Sequence, residues 1–318
     1  MQPEPENTLS LRLPGDVLMN FSRLPAGTFR MGARGEYAAE EPIHRVQISE
    51  FYMGVFPVTQ RQYQVMAEQC LAELQKIEGN RGSRPSYFPT TGSGDQHPVE
   101  NVSWVEAALV CRWLTDWLIQ SEQMSAGWKA DLPSEAQWEY ACRLMKDASG
   151  QAYAVETEYY SGDGAAALAD VGWYDANSGD TTHPVGQKKE PTSFGLYDLH
   201  GNVWEWCRDA WNEHAYKVRA DGACDPVEHG EDGALRVIRG GGWGNSAWNC
   251  RAAYRYRGRP TDRFGHLGFR VCLFSGPSSC PAEPAAVPGA GASSEPRAVD
   301  GAGRYAEAES SAQGGEDA

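Results

Sequence analysis

Residues 194–206, Phe194-Gly-Leu-Tyr-Asp-Leu-His-Gly-Asn-Val-Trp-Glu-Trp206, combine turn-forming residues with two closely spaced tryptophans. Gly, Asp and Asn are frequent in turns because they accept left-handed backbone or bond nearby amides, and Trp buries a large surface that fixes a turn in place. The whole chain shares this character, since its 318 residues include 35 Gly, 19 Pro and 11 Trp. These numbers predict a fold with much irregular backbone held by aromatic side chains.

Length and charge restrict the class of protein. A chain of 318 residues that is 41% hydrophobic can bury a sizeable core. The formal net charge is −15 and the pI is near 4.9. Nucleic acids and anionic membrane surfaces attract basic proteins, so we expect neither as the main partner.

The start of the chain carries no recognisable sorting signal. It reads MQPEPENTLSL, which has neither the basic nor the apolar segment of a signal peptide. No later run reaches the roughly 18 apolar residues that a membrane span needs. We therefore predict a cytoplasmic protein as encoded, without a membrane span, and leave release by another route open.

The composition changes at Ser275. From there to Ala318 the chain is rich in Ala, Gly, Pro, Ser and acidic residues and has almost no large apolar side chain. Such a segment cannot offset the entropy lost on ordering. We predict a flexible N-terminus over residues 1–14, one globular domain over 15–274 and a disordered acidic tail over 275–318.

Alternating apolar and polar residues predict four short strands in the domain. Residues 29–32 and 45–52 are interpreted as a hairpin that encloses an acidic loop. Residues 235–239 and 268–273 are interpreted as strands on either side of an Arg-rich loop. Short strands with long loops between them place much of the surface in loops, where binding sites usually lie.

Three capping motifs predict helices. Thr59, Ser103 and Ser134 each stand three residues before a Glu or Gln, so each fits a capping box at a helix start. After Ser103 the apolar residues recur at helical spacing and predict one buried face, formed by Trp104, Ala107, Ala108, Cys111, Leu114 and Leu118. Helices and short strands together indicate an α+β domain that is rich in coil.

The eight cysteines show no C-x-x-C pair and no zinc-type spacing with histidine. Cys111 and Cys142 fall on apolar helix faces, which favours buried reduced thiols over disulfides. An even number of cysteines still permits disulfides.

Seven phrases in order carry a family resemblance. They are Gly27-Thr-Phe-Arg-Met-Gly32, Phe56-Pro-Val-Thr59, His97-Pro-Val-Glu-Asn-Val-Ser-Trp104, Leu132-Pro-Ser-Glu-Ala-Gln-Trp-Glu-Tyr-Ala141, the stretch 194–206, Arg239-Gly-Gly-Gly-Trp243 and Gly268-Phe-Arg270. This set resembles the signature of the sulfatase-modifying-factor family, which includes the formylglycine-generating enzymes. The resemblance implies their C-type lectin variant fold, which has little regular secondary structure.

The resemblance also implies a possible oxidoreductase activity. Enzymes of this type oxidise a substrate cysteine to an aldehyde with two cysteines placed just after the phrase that corresponds to 239–243. Thiolates of this kind suit copper(I). Here residues 244–249 contain no Cys, and Cys250 and Cys272 remain only as an unconventional pair. Copper is therefore expected only under this alternative, and the missing pair favours binding over catalysis.

A structural calcium ion is a second implication of the resemblance. Carried over residue by residue, its ligands are the side chains of Asp198 and Glu205 and the carbonyl groups of Gly201 and Val203. Such oxygen atoms suit calcium. The alternative is a purely structural turn, with Asn202 at positive φ and Glu205 bonded to loop amides.

The last part of the domain, RGGGWGNSAWNCRAAYRYRGRPTDRFGHLGFR, resembles a further branch of the family, the variable proteins of diversity-generating retroelements. In that system adenines are randomised, so an AAC codon for Asn becomes any NNC codon. Lys, Glu, Gln, Met and Trp cannot arise in this way. Residues reachable by such codons stand at Gly244, Ser246, Tyr254, Tyr256, Gly258, Arg259, Asp262, Phe264, Gly265 and His266, and with Gly242 they form the predicted ligand-binding set.

These residue types also suit a binding surface. Tyr and Phe offer large rigid contact areas, Arg offers a planar set of donors, and Gly and Ser adapt to a partner. The simpler alternative is an ordinary loop in which Arg251, Arg255 and Arg257 pair with carboxylates. We expect Arg251, Ala252, Ala253 and Trp243 to be structural and the reachable positions to face solvent.

Two functions follow from these observations. The first is a display protein that binds a protein or cell-surface ligand through a variable surface at residues 242–266. The alternative is a formylglycine-generating-enzyme-like oxidoreductase or related modifying enzyme that uses Cys250 and Cys272. Fold alone does not separate the two.

Overall fold

The computed structural model describes residues 8–35, 37–90, 95–188, 191–276 and 280. Its longer helices are α1 (Gln60–Gln69), α3 (Trp104–Gln120) and α4 (Glu135–Arg143), and its shorter ones are α2 (Leu71–Leu74), α5 (Gly164–Val171) and α6 (Ala215–Val218). None of the helices in the described ranges is long and apolar enough to cross a membrane.

The three predicted capping boxes are confirmed. The hydroxyl groups of Thr59, Ser103 and Ser134 accept from the third amide of α1, α3 and α4, at 3.2, 3.3 and 3.1 Å. The Gln or Glu at that third position accepts in return from the cap amide, so two unpaired donors are satisfied at each helix start. The predicted apolar face of α3 is buried, apart from Trp104, which is half-buried.

Fourteen strands are found among the described residues. They are β1 (Thr8–Arg12), β2 (Leu18–Leu24), β3 (Gly27–Met31), β4 (His44–Ile48), β5 (Phe51–Gly54), β6 (Trp128–Asp131), β7 (Leu144–Lys146), β8 (Ala152–Ala154), β9 (Trp204–Ala210), β10 (Ala223–Cys224), β11 (Arg236–Arg239), β12 (Tyr256–Gly258), β13 (Leu267–Phe269) and β14 (Cys272–Ser275). They form sheets in the orders β1-β2-β5-β14-β6, β10-β4-β3, β12-β11-β9-β13 and β7-β8. The predicted α+β class is confirmed.

Two predicted strands each turn out to be two strands in different sheets. The segment 45–52 divides at Ser49 and Glu50: β4 pairs with β3 as predicted, whereas β5 joins the five-stranded sheet. The segment 268–273 divides at Arg270, whose buried side chain forms an ion pair with Glu205. Before this point β13 pairs with β9, and after it β14 pairs with β5 and β6. Alternation along one strand carries no sign of such a change of sheet.

The predicted ends of the domain also need correction. Residues 8–12, which fall in the predicted flexible N-terminus, form β1 because Leu9 and Leu11 pair with β2 and Leu11 is buried. Ser275, the first residue of the predicted tail, is the last residue of β14. Residues 277–279 and 281–318 of the predicted tail lie outside the described residues.

The cysteines divide into two groups. Six, including Cys111 and Cys142, are free and buried, which confirms the prediction of reduced thiols for them. The expectation fails at Cys224 and Cys280, which form a disulfide. Cys224 is exposed at the end of β10, where no apolar surroundings favour an isolated buried thiol.

Candidate binding surface

The C-terminal segment, residues 239–270, is anchored to α4 by buried ion pairs. Arg255 donates to both carboxylate oxygens of Glu135, at 2.6 and 2.8 Å, and the guanidinium of Arg239 contacts Glu139 on the next turn of the helix. All four side chains are fully buried. Burial alone would raise the pKa of Glu135, but Arg255 and Arg239 hold it below its ordinary value. The charges are thus compensated where water cannot reach them.

A second buried pair holds the middle of the segment. Arg251 donates to both oxygens of Glu40 at 3.0 and 2.9 Å. Ala252 and Ala253 beside it are buried, as expected for structural residues. Arg257 differs, because it is exposed and lies over the ring of Trp211 at 5.0 Å. Three arginines were candidates for pairing with carboxylates. Two of them, Arg251 and Arg255, do so and hold the backbone of the segment against the core.

Eight of the eleven predicted ligand-binding residues reach solvent. Gly244, Ser246, Tyr256, Arg259 and Phe264 are exposed, and Asp262, Gly265 and His266 are half-buried. Gly242, Tyr254 and Gly258 are buried, contrary to the expectation that the reachable positions face solvent. Buried and accessible positions are therefore interleaved along the segment.

The glycines show why some of these positions cannot accept a side chain. A Cβ added at Gly258 would lie 2.8 Å from Cη2 of Trp206, and one added at Gly242 would lie 3.2 Å from Cβ of His266. At Gly244 no atom lies within 4 Å of such a Cβ. Gly258 therefore belongs to the core packing, whereas Gly244 can accept a larger side chain without a clash.

Aromatic rings line this face in two rows. In the first row the ring centroids of Trp248 and Tyr254 are 4.6 Å apart, and Trp204 lies 5.9 Å from both Tyr254 and Tyr256. Tyr37 stacks on Tyr254 at 6.0 Å. These distances are those of attractive ring pairs. The first row thus joins Tyr37, which precedes α1, to the middle of the C-terminal segment.

The second row continues from Phe264. It stacks on His266 at 5.5 Å, His266 lies 6.5 Å from Trp243, and Trp243 meets Phe88 edge-on at 5.4 Å. Tyr87 is next, 5.0 Å from Phe88. The rows are linked because the amide of Trp204 donates to the carbonyl of His266 at 2.7 Å. We call the two rows together the aromatic surface.

The exposed part of the aromatic surface is substantial. Tyr87, Trp248, Tyr256 and Phe264 have 70%, 39%, 48% and 45% of their surface exposed, and they are four of the eight large hydrophobic side chains exposed in the described ranges. Clustering of exposed aromatic residues is a feature of interaction sites. Single exposed apolar residues need no such explanation.

Sequence reasoning missed several of these rings. Trp248 is not among the predicted positions, since no NNC codon encodes Trp, and Tyr87 and Phe88 stand in a loop without any motif. The structure brings that loop to the surface because the buried carboxylate of Glu100 accepts from the amides of both residues at 2.9 Å. A hydrogen bond over this sequence distance leaves no local signal.

Comparison with known proteins identifies the family. The family model described as the sulfatase-modifying factor enzyme 1-like domain matches residues 14–273. The chain belongs to this family. The formylglycine-generating enzyme of Streptomyces coelicolor is 30% identical over 293 residues, which cover 78% of this chain and 87% of the enzyme.

Other relatives of this sulfatase-modifying-factor chain differ in length. The serine/threonine-protein kinase pkn1 of Chlamydia pneumoniae is 29% identical over 267 residues, which cover 81% of this chain but 38% of the kinase. The chain thus spans less than two fifths of that relative.

Among solved structures, Treponema denticola variable protein 1 has a TM-score of 0.67 and 25% identity, with 85% of this chain and 99% of that chain covered. PvdO from Pseudomonas aeruginosa has a TM-score of 0.58 and 26% identity with the same coverage. These likenesses confirm the predicted family and its fold.

The cysteines of the oxidoreductase alternative do not form a site in this member of the family. Cys250 and Cys272 pack in different clusters of the core, and both are fully buried. Burial raises the pKa of each thiol well above its usual value. A copper(I) centre needs two neighbouring thiolates that a substrate can approach, so this pair does not fit the copper site.

The turn predicted to hold calcium is present, with Asn202 at φ 62°. Asp198 is buried without an ion pair to a described residue; its carboxylate accepts from the Gly186 amide at 2.7 Å and from the Asn202 side chain at 3.3 Å. Burial raises the pKa of Asp198 to about 6. A buried carboxylate of this kind, with the carbonyl groups of Gly201 and Val203 nearby in sequence, fits a hard cation.

Glu205 is the least suitable of the four predicted calcium ligands. Its carboxylate accepts from Arg270 at 2.7 Å and from the indole of Trp138 at 2.8 Å, so its charge is already compensated. Among the described residues it accepts no bond from the loop amides expected in the purely structural turn. The calcium ion remains a prediction that depends mainly on Asp198.

Proposed function

We propose that this protein binds a protein or cell-surface ligand through the aromatic surface, and that a diversity-generating retroelement varies the exposed positions between Gly242 and His266. The observation that carries the proposal is the separation of the segment into two groups of residues. The predicted ligand-binding positions are mostly accessible, whereas Arg251, Ala252, Ala253 and Arg255 between them are buried.

Such a separation is what a variable binding surface requires. A substitution at an exposed position changes contacts with a partner and leaves the core intact, and surface changes usually cost little stability. Buried ion pairs such as Arg255 with Glu135 keep the backbone fixed while side chains vary. A fixed backbone lowers the entropy that binding would otherwise cost.

The chemistry of the surface supports a macromolecular ligand. Tyr256 and Phe264 provide rigid aromatic contacts, Arg259 provides an exposed guanidinium, and Gly244 and Ser246 provide adaptable positions. This mixture is typical of paratopes, in which aromatic anchors supply contact area and small polar residues adjust to the partner. Tyr87 adds a contact from outside the variable segment.

Sequencing of the encoding locus in many cells tests the retroelement part of the proposal. We expect substitutions at adenines to concentrate in the codons of accessible residues such as 244, 246, 256 and 259. We also expect a near-copy of the segment beside a reverse transcriptase gene. An invariant segment without a template copy would contradict diversification.

Binding is tested separately from diversification. Chains that differ only at accessible positions should select different ligands from a library of displayed proteins, and Tyr256→Ala should weaken the selected interaction. As a check on the alternative function, the protein should neither retain copper(I) nor oxidise the cysteine of a sulfatase-type peptide. Copper-dependent oxidation of that peptide, abolished by Cys250→Ser, would favour the enzyme instead.

A further inference from the structure

Outside the aromatic surface, one cluster of side chains has the composition of a metal site. The potential ligand atoms of Cys224, Asp225 and Cys280 all lie within 4.8 Å of one another, and no other group of three or more His, Cys, Asp or Glu residues meets this test in the described ranges. Two of the ligand atoms are the sulfurs of the disulfide. The cluster is partly accessible, since Cys224 is exposed and the other two residues are half-buried.

Local backbone holds one side of this cluster in place. The short strand β10 pairs in parallel with β4, and the amide of Asp225 donates to the Gln47 carbonyl at 2.9 Å. The carboxylate of Asp225 accepts from the Ser49 amide at 2.8 Å and from its hydroxyl at 2.6 Å. Cys224 and Asp225 are therefore positioned by the three-stranded sheet whether or not the disulfide is present.

We propose that reduction of the Cys224–Cys280 disulfide creates a site for a zinc-class divalent cation, with Cys224, Cys280 and Asp225 as ligands. The cation gains two thiolate sulfurs and one carboxylate oxygen, and water completes a tetrahedral shell. Zinc accepts this combination of ligands, and bonds of about 2.3 Å at tetrahedral angles place two sulfurs about 3.7 Å apart. The three ligand atoms already lie within 4.8 Å of one another, so they are close enough to converge on one ion.

A dithiol can serve as the reductant of the disulfide. The dithiol gives two electrons to the disulfide and becomes a cyclic disulfide, and Cys224 and Cys280 become thiols. The cation then displaces one proton from each thiol as the two metal–sulfur bonds form. In a reducing compartment, where protein disulfides do not persist, the cation would link residue 280 to β10 in place of the covalent bond.

The remaining cysteines do not compete for the metal. Cys70, Cys111, Cys142, Cys207, Cys250 and Cys272 are buried. Burial raises the pKa of Cys70 to about 11 and raises those of the other five further. Thiol reagents and metal ions added to the folded protein should therefore reach only Cys224 and Cys280 after reduction.

Cadmium titration of the full chain tests the proposal, because cadmium–thiolate bonds absorb in the ultraviolet and zinc can then displace the cadmium. The protein is reduced with a dithiol, freed of it by anaerobic gel filtration and titrated. We expect accessible thiols to rise from none to two per chain, and the absorbance to reach a plateau at one cadmium per chain. The oxidised protein and Cys280→Ser should lack this plateau.

The role of the carboxylate needs a matched pair of variants. Asp225→Asn keeps an oxygen that can accept from Ser49 but removes the charge, and we expect cadmium affinity to fall by about tenfold or more. Asp221→Asn removes an exposed carboxylate four residues away, which pairs with Arg45, and should leave the affinity unchanged. No plateau in the reduced protein, or equal affinities for the two variants, would overturn the proposed site.

Discussion

Replacing Gly258 by Ala should destabilise the domain, whereas the same replacement at Gly244 should not. The new Cβ at 258 would lie 2.8 Å from Cη2 and 3.3 Å from Cζ3 of Trp206, while the one at 244 would have no atom within 4 Å. Trp206 is fully buried, and its indole donates to the Val102 carbonyl at 2.9 Å. The ring cannot move away from the new methyl group without disturbing that bond and the core.

The expected size of the effect follows from overpacking. An extra methyl group in a packed core costs about 1–3 kcal/mol, and in a domain of this size each kcal/mol lowers Tm by about 2–4 °C. The change at Gly244 should remain within about 0.5 kcal/mol, as is usual at exposed sites. Neither glycine has the positive φ that would add backbone strain, so the two variants differ in packing alone.

Thermal and urea denaturation of the two variants beside the unchanged protein would measure the difference. Equal stability of Gly258→Ala and Gly244→Ala would refute the assignment of Gly258 to the core. If Gly258→Ala alone is destabilising, folded chains from a varied population should retain Gly at 258 and accept many residues at 244.

Three further predictions concern buried charge. Arg255→Met should cost about 3–5 kcal/mol in urea unfolding, because Arg239 at 3.7 Å is then the one ion-pair partner left to Glu135 among the described residues; a cost below about 1 kcal/mol would contradict a stabilising role for the buried ion pair. His200 has its pKa lowered to about 4 by burial. Its neutral form contributes stability above pH 6.5, and about 3 kcal/mol is lost as pH falls from 6.5 to 4; His200→Gln should flatten that dependence, and parallel pH profiles would contradict it. Calcium at 100 times its Kd should stabilise the protein by about 2.7 kcal/mol in thermal shifts. The gain should vanish in Asp198→Asn, and a gain that persists there would exclude Asp198 as a ligand.

Local sequence determined the features that depend on neighbours along the chain. The capping boxes at Thr59, Ser103 and Ser134 were predictable because cap and partner stand three residues apart. The buried face of α3 follows from its helical period in the same way. The family and its coil-rich α+β fold were likewise recognisable, because seven phrases occur in a fixed order.

Tertiary structure decided the features that depend on distant partners. The split of residues 268–273 into β13 and β14 arises from the pairing of Arg270 with Glu205, 65 residues earlier in the chain. Tyr87 reaches the aromatic surface because Glu100 holds its loop, and Gly258 is closed by Trp206. The NNC codon argument concerns which residue types can occur at each position of the chain. Whether a position is exposed depends on the side chains that pack against it, and only folding brings those side chains together.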